Sequence, residues 1–378
     1  PADVSKTLDS YLEAGALLGL FEGMELDLPA AFRRRETDAT FSGFRVQSTL
    51  RTMNLRPRLN LSYASAFNAR ASIGADIERG RGALSSFDYK RTHDGYYGHL
   101  SLSSDDKLWV VSGGARSEKL DDRFTSGASR SSLAQNKATW EAGAALNISP
   151  LFGLHLNAAT SVRFPLLDER FNFISKSIVT TLLPQTGKHY GLSVHSQMQD
   201  VALDLSFNRA DLSKEIFFNP TSFNNENYTD KTRHDVWMLQ GQWQAADWVK
   251  LRANYTYTRA SFRAGGFDAK SIPAVPKQRF GMAVDSEWGH GFGSTLDVAY
   301  VGNSFLISDQ ANAAVKLPAY LVANLVARYR WQDMDTFLRI DNLGNRKYSR
   351  YGVHSAFSGD KSYPAPVVSV SGGFNYRF

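Results

Sequence analysis

Three polar segments of the sequence combine cationic and aromatic side chains in a way that suits ligand binding. Arginine and lysine pair with anionic groups, and phenylalanine and tyrosine stack on flat ligands, so together they favour a large, polar, anionic ligand. The segments span residues 163–173, 216–228 and 345–351. The candidate ligand contacts are Arg163, Arg170, Phe217, Phe218, Tyr228, Arg346, Tyr348, Arg350 and Tyr351.

Residue types that carry catalysis or bind metals are present, but they lack the required spacing. The eight histidines include no His-x-x-x-His pair and have no carboxylate at zinc-site spacing beside them. The glycine-rich stretch 289–293 joins two predicted strands and opens no helix, which argues against a phosphate-binding loop. The sequence also lacks a Gly-x-Ser-x-Gly nucleophile elbow. We therefore expect no enzymatic activity, no metal and no cofactor.

Composition restricts the class of protein further. The chain has 378 residues, no cysteine and a net charge of +6. Its basic residues are dispersed singly, apart from Arg33–Arg35, so we do not expect a nucleic-acid partner. No apolar run reaches the ~18 residues of a transmembrane helix. A chain that lies in a membrane without such a helix must cross it as a closed β-barrel.

The C-terminal residues show the alternation of a membrane-facing strand. Val368, Val370, Gly372, Phe374, Tyr376 and Phe378 fall on one face, and polar residues fall on the other. The stretch 371–378 resembles the assembly signal that ends bacterial outer-membrane proteins. The signal positions are Ser371, Gly373, Tyr376 and Phe378. This resemblance implies insertion by the barrel assembly machinery.

The rest of the chain repeats a short turn followed by a long polar segment, which is typical of bacterial outer-membrane barrels. Short turns are predicted at 22–23, 65–68, 104–106, 149–150, 199–200, 245–247, 289–291 and 332–333. Long loops are predicted near 35–43, 81–91, 119–135, 164–186, 216–232, 262–276, 303–318 and 346–365. Between them lie about 17 alternating strands, the first near 9–21. We expect an all-β, antiparallel transmembrane barrel over residues 1–378.

Four separated motifs resemble the TonB-dependent outer-membrane receptors. The stretch 337–348, with its Asn-Leu pair and Tyr348, resembles the penultimate strand of that family, and Gly352 follows it. The segments 272–280, 161–171 and 183–187 resemble its proline-rich lead into a strand, its Arg-aromatic-Pro stretch and the loop end after it. The family barrel has 22 strands and encloses a plug. The resemblance therefore implies that this chain is the C-terminal part of the barrel, with about five strands and the plug upstream.

The resemblance also implies a location, a function and a set of partners. We expect the outer membrane of a Gram-negative bacterium, with lipid and lipopolysaccharide around the barrel. We expect TonB-dependent uptake of a scarce nutrient, most readily a ferric siderophore, with haem or cobalamin as further candidates. TonB itself would act through a plug that this chain lacks. The ligand would meet the long loops and the upper lumen.

Other interpretations of the same patterns stay open at this point. A passive pore or structural barrel without a plug would show the same strands, and a soluble β-sandwich shows the same alternation with the faces reversed. Aromatic loop residues also suit a membrane interface, and basic loop residues suit contact with lipopolysaccharide.

Overall fold

The computed structural model describes residues 4–41, 44–84, 87–149, 151–172, 175, 177–219, 222–355 and 359–377. The chain divides into two compact units, which are described separately. Unit 1 contains residues 1–145 and 157–184, and unit 2 contains residues 146–156 and 185–378.

Unit 1 is an antiparallel ladder of long strands. Its main ladder runs β1–β4–β5–β7–β8–β9–β10. The first half of β7 pairs with β6, which pairs with β3, which pairs with β2. The strands are β1 (Val4–Ala14), β2 (Leu17–Phe21), β3 (Met24–Asp27), β4 (Ala30–Phe41), β5 (Phe44–Leu55), β6 (Arg58–Ala64), β7 (Asn68–Leu84), β8 (Phe87–Ser103), β9 (Trp109–Ser126), β10 (Ser129–Ser149), β11 (Phe152–Arg163), β12 (Phe171–Asn172) and β13 (Ser177–Ile178). Strands β10 and β11 belong in part to unit 2.

Unit 2 is also an antiparallel ladder, with the strand order β14–β15–β18–β19–β20–β21–β22–β23–β26. Its strands are β14 (Gln185–Met198), β15 (Val201–Ser213), β16 (Ile216–Asn219), β17 (Asn224–Asn227), β18 (Thr232–Ala246), β19 (Val249–Phe262), β20 (Gln278–Gly289), β21 (Phe292–Val301), β22 (Tyr320–Trp331), β23 (Met334–Asp341), β24 (Ser349–Val353), β25 (Lys361–Pro364) and β26 (Ser369–Tyr376). A single 3₁₀ turn lies at Gly265–Phe267 in unit 2, and another lies at Asp168–Arg170 in unit 1.

Three strands of unit 1 are interrupted side by side. The interruptions fall at 15–16, 28–29 and 56–57, so β1 and β2, β3 and β4, and β5 and β6 are halves of single strands. Pro29 and Pro57 cause two of them, because proline has no N–H to donate to the ladder. The Pro29 carbonyl still accepts a hydrogen bond from Arg56 N (3.0 Å), and the Pro57 carbonyl accepts one from Ala75 N (3.0 Å). With each interrupted pair counted once, the described residues form 17 long strands, which confirms the predicted number.

The predicted short turns are confirmed, whereas three predicted long loops are wrong. All eight short turns separate consecutive strands at the expected places. Segments 35–43, 81–91 and 119–135, however, belong largely to the extended hairpins β4–β5, β7–β8 and β9–β10. Their polar side chains are paired across strands, as Asp38 is with Arg45 and Arg91 is with Asp122. The first strand also begins earlier than predicted, at Val4.

One face of the unit 2 sheet is apolar and exposed. Neighbours in the ladder form a continuous row of apolar side chains: Val194, Leu205, Leu239, Tyr255, Phe280, Tyr300 and Leu321. Leu205 is 54% exposed and Leu321 is 55% exposed. The opposite face is polar, and there Arg252 Nε donates to Asp285 (2.8 Å). An apolar exposed face of this extent suits a lipid environment.

Aromatic side chains mark both edges of this apolar face. Beside the short turns, Trp248 lies 5.4 Å from Trp288 between ring centroids. Towards the long loops, Trp237 lies 5.6 Å from Tyr257. Phe280 and Trp288 lie eight positions apart on β20, or roughly 26 Å along the strand. This spacing is close to the ~25 Å apolar band of an outer-membrane barrel.

The C-terminal strand has the predicted alternation. In β26, Val370 and Tyr376 lie opposite Ile340 and Met334 of β23, and Val370, Phe374 and Tyr376 are exposed. Gly373 lies on the other face, where a Cβ atom would come within 2.9 Å of the Phe337 ring. Ser371 shares that face, and Phe378 lies outside the described residues. Assembly by a dedicated machinery stays a prediction.

Candidate functional site

The long loops of unit 2 pack together into one surface, here called the loop cap. It comprises the described residues of 214–231, 263–277, 302–319 and 342–368. Ser308 Oγ donates to the Phe218 carbonyl (2.9 Å), and Asn312 exchanges two hydrogen bonds with the backbone of Ser271 (2.7 and 2.9 Å). Ile307 N donates to the Gly352 carbonyl (2.8 Å). Loops that come from four different strand pairs are therefore held together.

An aromatic cluster forms the interior of the loop cap. The rings of Phe217 and Tyr228 are stacked 4.1 Å apart, and Tyr228 meets Phe262 edge-on at 4.9 Å. Ile272 completes the cluster. Burial raises the pKa of the Tyr228 phenol. Phe217 and Tyr228 thus stabilise the cap, and their predicted contact with a ligand stays a prediction.

A partly buried carboxylate anchors the base of the same cluster. Glu215 accepts hydrogen bonds from Thr232 Oγ1 (2.5 Å) and from the His234 ring (3.1 Å). Burial raises the pKa of Glu215, but these hydrogen bonds outweigh burial, so the pKa lies below its ordinary value. The Glu215 carbonyl also accepts from Tyr228 N (2.8 Å). The charge of Glu215 therefore contributes to the fixed position of the cluster.

A tight turn after β23 positions the third predicted segment. Asn342 is buried in the left-handed region (φ 54°), where asparagine is tolerated better than most residues. Its side chain accepts from Arg346 N (2.8 Å) and donates to the carbonyls of Arg346 (2.9 Å) and Pro366 (3.3 Å). The Asn-Leu motif therefore sets where Arg346 and Tyr348 lie.

A cleft of about 660 Å³ lies between loop 302–319 and loop 342–368. This volume is in the range of small-molecule sites. Its lining contains four cations, one carboxylate (Asp360) and the ring of Tyr348. The cations are Lys316, Arg346, Lys347 and Lys361. Among the residues that the structure describes, none of these four forms an ion pair, although arginines elsewhere in the chain often do.

The cleft contains only part of the predicted third segment. Arg346 and Tyr348 line it, and the Tyr348 ring lies 4.3 Å from that of Tyr320. Arg350 and Tyr351 are exposed on β24, where Tyr351 stacks on Tyr363 at 4.4 Å, and they are not among the lining residues. Phe218 is exposed in the loop cap, also outside the lining.

Two cations of the cleft were missed in the sequence. A third, Lys347, lies inside the predicted segment 345–351, although it was not among the candidate ligand contacts. Lys316 and Lys361 lie in two predicted long loops, and only the folded structure brings them together.

Unit 1 holds the two remaining candidates, Arg163 and Arg170. Arg163 is exposed and forms an ion pair with Glu169 within its own loop. Arg170 is fully buried, beside Asp122. Contact of either residue with a ligand stays a prediction, and for Arg170 it requires a movement of the loop.

The described residues contain no group of three or more His, Cys, Asp or Glu side chains placed to hold a metal ion. Separately, no helix among them is long and apolar enough to span a bilayer.

Long antiparallel strands with an apolar exposed face, aromatic edges, short turns and packed long loops define the class of transmembrane β-barrels. A family model described as "TonB dependent receptor-like, beta-barrel" matches residues 10–343. The chain belongs to this family. The predicted fold class is confirmed, and the family is one of transport receptors rather than of enzymes.

Solved structures with the same fold are distant in sequence. The ferric-catecholate import receptor Fiu of E. coli K12 is 15% identical with a TM-score of 0.78, and the chain covers 64% of it while 100% of the chain is matched. The siderophore receptor PiuA of Acinetobacter baumannii is 14% identical with a TM-score of 0.81, with 99% of the chain and 65% of PiuA covered. The copper transporter OprC is 13% identical with a TM-score of 0.79, with 98% of the chain and 65% of OprC covered. The chain thus spans just under two thirds of these proteins. A comparison with curated protein sequences finds no match.

Proposed function

We propose that this chain is the wall and the ligand-capturing loops of an outer-membrane receptor for an anionic ferric chelate, most readily a ferric siderophore. The observation that carries the proposal is the cleft of the loop cap, where Lys316, Arg346, Lys347 and Lys361 lie without carboxylate partners among the described residues. Four cations against one carboxylate favour an anionic ligand, and the Tyr348 ring offers a surface for stacking.

The comparisons support a ferric chelate as the class of ligand. Fiu is named for ferric catecholates and PiuA for siderophores, and both have the fold of this chain. Haem and cobalamin are the alternative ligands, and uptake assays with labelled haem or labelled cobalamin in place of the siderophore test them. The cleft is large enough for part or all of such a ligand.

The remaining parts of the transport system extend the proposal. The apolar face would contact outer-membrane lipid and lipopolysaccharide, in a barrel placed there by the barrel assembly machinery. Residues 1–378 would form the C-terminal part of a 22-stranded barrel, and TonB would act through a plug that this chain lacks. The share of Fiu and PiuA that the chain leaves uncovered has room for such a plug.

Uptake of radioactive iron by iron-starved cells tests the proposal. Cells that produce the whole protein should accumulate iron from at least one anionic ferric siderophore, and deletion of TonB should abolish the uptake. The variant Arg346→Gln/Lys347→Gln should reduce apparent affinity about tenfold, if each exposed cation contributes roughly 0.7 kcal/mol. The matched control is Arg263→Gln/Lys270→Gln, which removes two exposed cations of the loop cap outside the cleft.

The alternative outcomes are distinct. Unselective conductance in planar bilayers, together with uptake that is independent of TonB, would show that the protein is a passive pore and not a receptor. Equal loss of affinity in the cleft variant and in the control would show that the cleft is not the binding site.

A further inference from the structure

The loop that follows β11 folds onto the polar face of β8 and β9 in unit 1. This loop, here called the strap, comprises the described residues 164–172 and 177–184. The ring of Phe164 meets His93 edge-on at 5.7 Å, and that of Phe171 meets Phe87 at 6.1 Å. The Pro165 carbonyl accepts from Arg91 Nη2 (3.1 Å). The strap is therefore packed against the wall at several points.

A buried cluster of three charges lies beneath the strap. Arg91 donates to both oxygens of Asp122 (2.7 and 2.8 Å), and the Tyr89 hydroxyl donates to the same carboxylate (3.2 Å). Arg170 of the strap lies beside them, with Nε 3.9 Å from Asp122. The side chains of Arg170 and Asp122 are both 0% exposed. Asp122 is the one carboxylate that accepts hydrogen bonds in this cluster, and they come from Arg91 and Tyr89. Glu169 acts on Arg170 only electrostatically.

Arg170 lacks the partners that a buried cation requires. Its Nη1 donates to the carbonyls of Leu182 (3.0 Å) and Val179 (3.4 Å). Its Nε and Nη2 are buried and have no hydrogen-bond partner among the described residues. Burial also lowers the pKa of Arg170. Buried donors without acceptors are costly, and a buried charge without close pairing is more so.

We propose that Arg170 is a masked anion-binding residue. In the packed strap its guanidinium fork has no free acceptor, because Arg91 and Tyr89 occupy Asp122. An anionic group with two oxygens, such as a carboxylate or a phosphate, matches the unused Nε and Nη2 donors in geometry and charge. Binding of such a group to Arg170 competes with packing, so anions release the strap from β8 and β9. The proposal concerns the strap alone and holds whichever substrate the protein carries.

Thiol labelling at a buried strap position measures this release. The chain contains no cysteine, so Leu182→Cys introduces a single thiol at a position that is 1% exposed. Leu166→Cys, at a strap position that is 51% exposed, is the matched control. The whole protein in detergent is labelled with a maleimide in inorganic phosphate and in chloride at equal ionic strength. We expect phosphate to accelerate labelling at 182 about fivefold or more and to leave labelling at 166 unchanged.

The variant Arg170→Met separates a masked binding residue from a simple structural clamp. Methionine has similar length and no charge. It loses the two hydrogen bonds to the Leu182 and Val179 carbonyls but also removes the buried charge and the two unpaired donors, so it should slow the labelling at 182 and remove the phosphate effect. Faster labelling in Arg170→Met would overturn the proposal, because it would show that Arg170 holds the strap in place. Labelling at 182 that is insensitive to phosphate with Arg170 present would overturn it as well.

A second measurement needs no substitution. Trypsin cleaves after Arg170 only when that residue leaves its buried position, whereas Arg163 is exposed throughout. The ratio of cleavage after Arg170 to cleavage after Arg163, read by mass spectrometry, should rise in phosphate. An unchanged ratio would contradict the release of the strap by anions.

Discussion

Replacement of Asn342 by alanine tests whether the Asn-Leu motif positions the cleft. The change removes three hydrogen bonds, to Arg346 N, to the Arg346 carbonyl and to the Pro366 carbonyl. At roughly 1 kcal/mol each, their loss costs about 3 kcal/mol. Alanine in the left-handed region costs a further ~1 kcal/mol. The turn should therefore lose about 4 kcal/mol of local stability.

Hydrogen exchange measures this loss directly. The amides of Asn345 and Arg346 donate within the turn (both 2.8 Å), so their protection reports on it. A change of ~4 kcal/mol lowers protection by a factor of about a thousand, unless exchange already occurs through a cheaper local opening. The protection of amides in β20 and β21 should be unchanged. The affinity for an anionic ferric chelate should fall, because a disordered turn no longer fixes the positions of Arg346 and Tyr348.

Two further variants divide the effect into its parts. Asn342→Gly keeps the favourable backbone conformation and loses the side-chain hydrogen bonds. The turn should therefore lose about three quarters of the stability that it loses in Asn342→Ala. Asn342→Asp keeps the acceptor for Arg346 N and loses the two donated bonds. Unchanged protection in Asn342→Ala would refute the argument that this side chain holds the turn.

Two other features of the loop cap yield predictions. Gly352→Val should separate β24 from loop 302–319, because a Cβ atom there would come within 2.7 Å of Leu306 Cδ2 and 2.8 Å of the Lys361 carbonyl. The amide of Ile307, which donates to the Gly352 carbonyl, should then lose its protection from hydrogen exchange. Retained protection would contradict the close packing. The lowered pKa of Glu215 predicts a stabilising contribution that is complete above its unfolded value of about 4.3 and is lost as the pH falls through the lower folded value. Protection of residues 216–219, corrected for intrinsic exchange, should fall in acid in the wild type and not in Glu215→Gln, and equal pH dependence in both would assign the effect to another group.

The strand pattern could be predicted from the sequence because its signals are local. Alternation along a strand and a short turn after it involve residues that are adjacent in the chain, and the eight turns and the 17 strands follow from them. The interruption at Pro57 also has a local cause. Local signals do not distinguish a polar hairpin from a polar loop, however. The Arg91–Asp122 pair links the extended hairpins β7–β8 and β9–β10, and it joins residues 31 positions apart.

The candidate site was less predictable, because its residues come together only in the folded chain. Arg346 and Tyr348 were predicted from composition, and both line the cleft. Lys316 and Lys361 join them from separate loops, which no local pattern indicates. Arg170 was predicted from its aromatic neighbours. Its burial depends on a strap that packs against distant strands, so its sequence context gave no sign of the charge cluster around Asp122.

Binding of an anionic ferric siderophore to the purified whole protein tests the central claim most directly. Quenching of tryptophan fluorescence, titrated at low and high salt, yields the affinity and its salt dependence. We expect saturable binding that weakens with salt and weakens about tenfold in Arg346→Gln/Lys347→Gln, with the affinity of Arg263→Gln/Lys270→Gln unchanged. Saturable binding with the same affinity in both variants and at both salt concentrations would contradict a cationic capture site in the cleft.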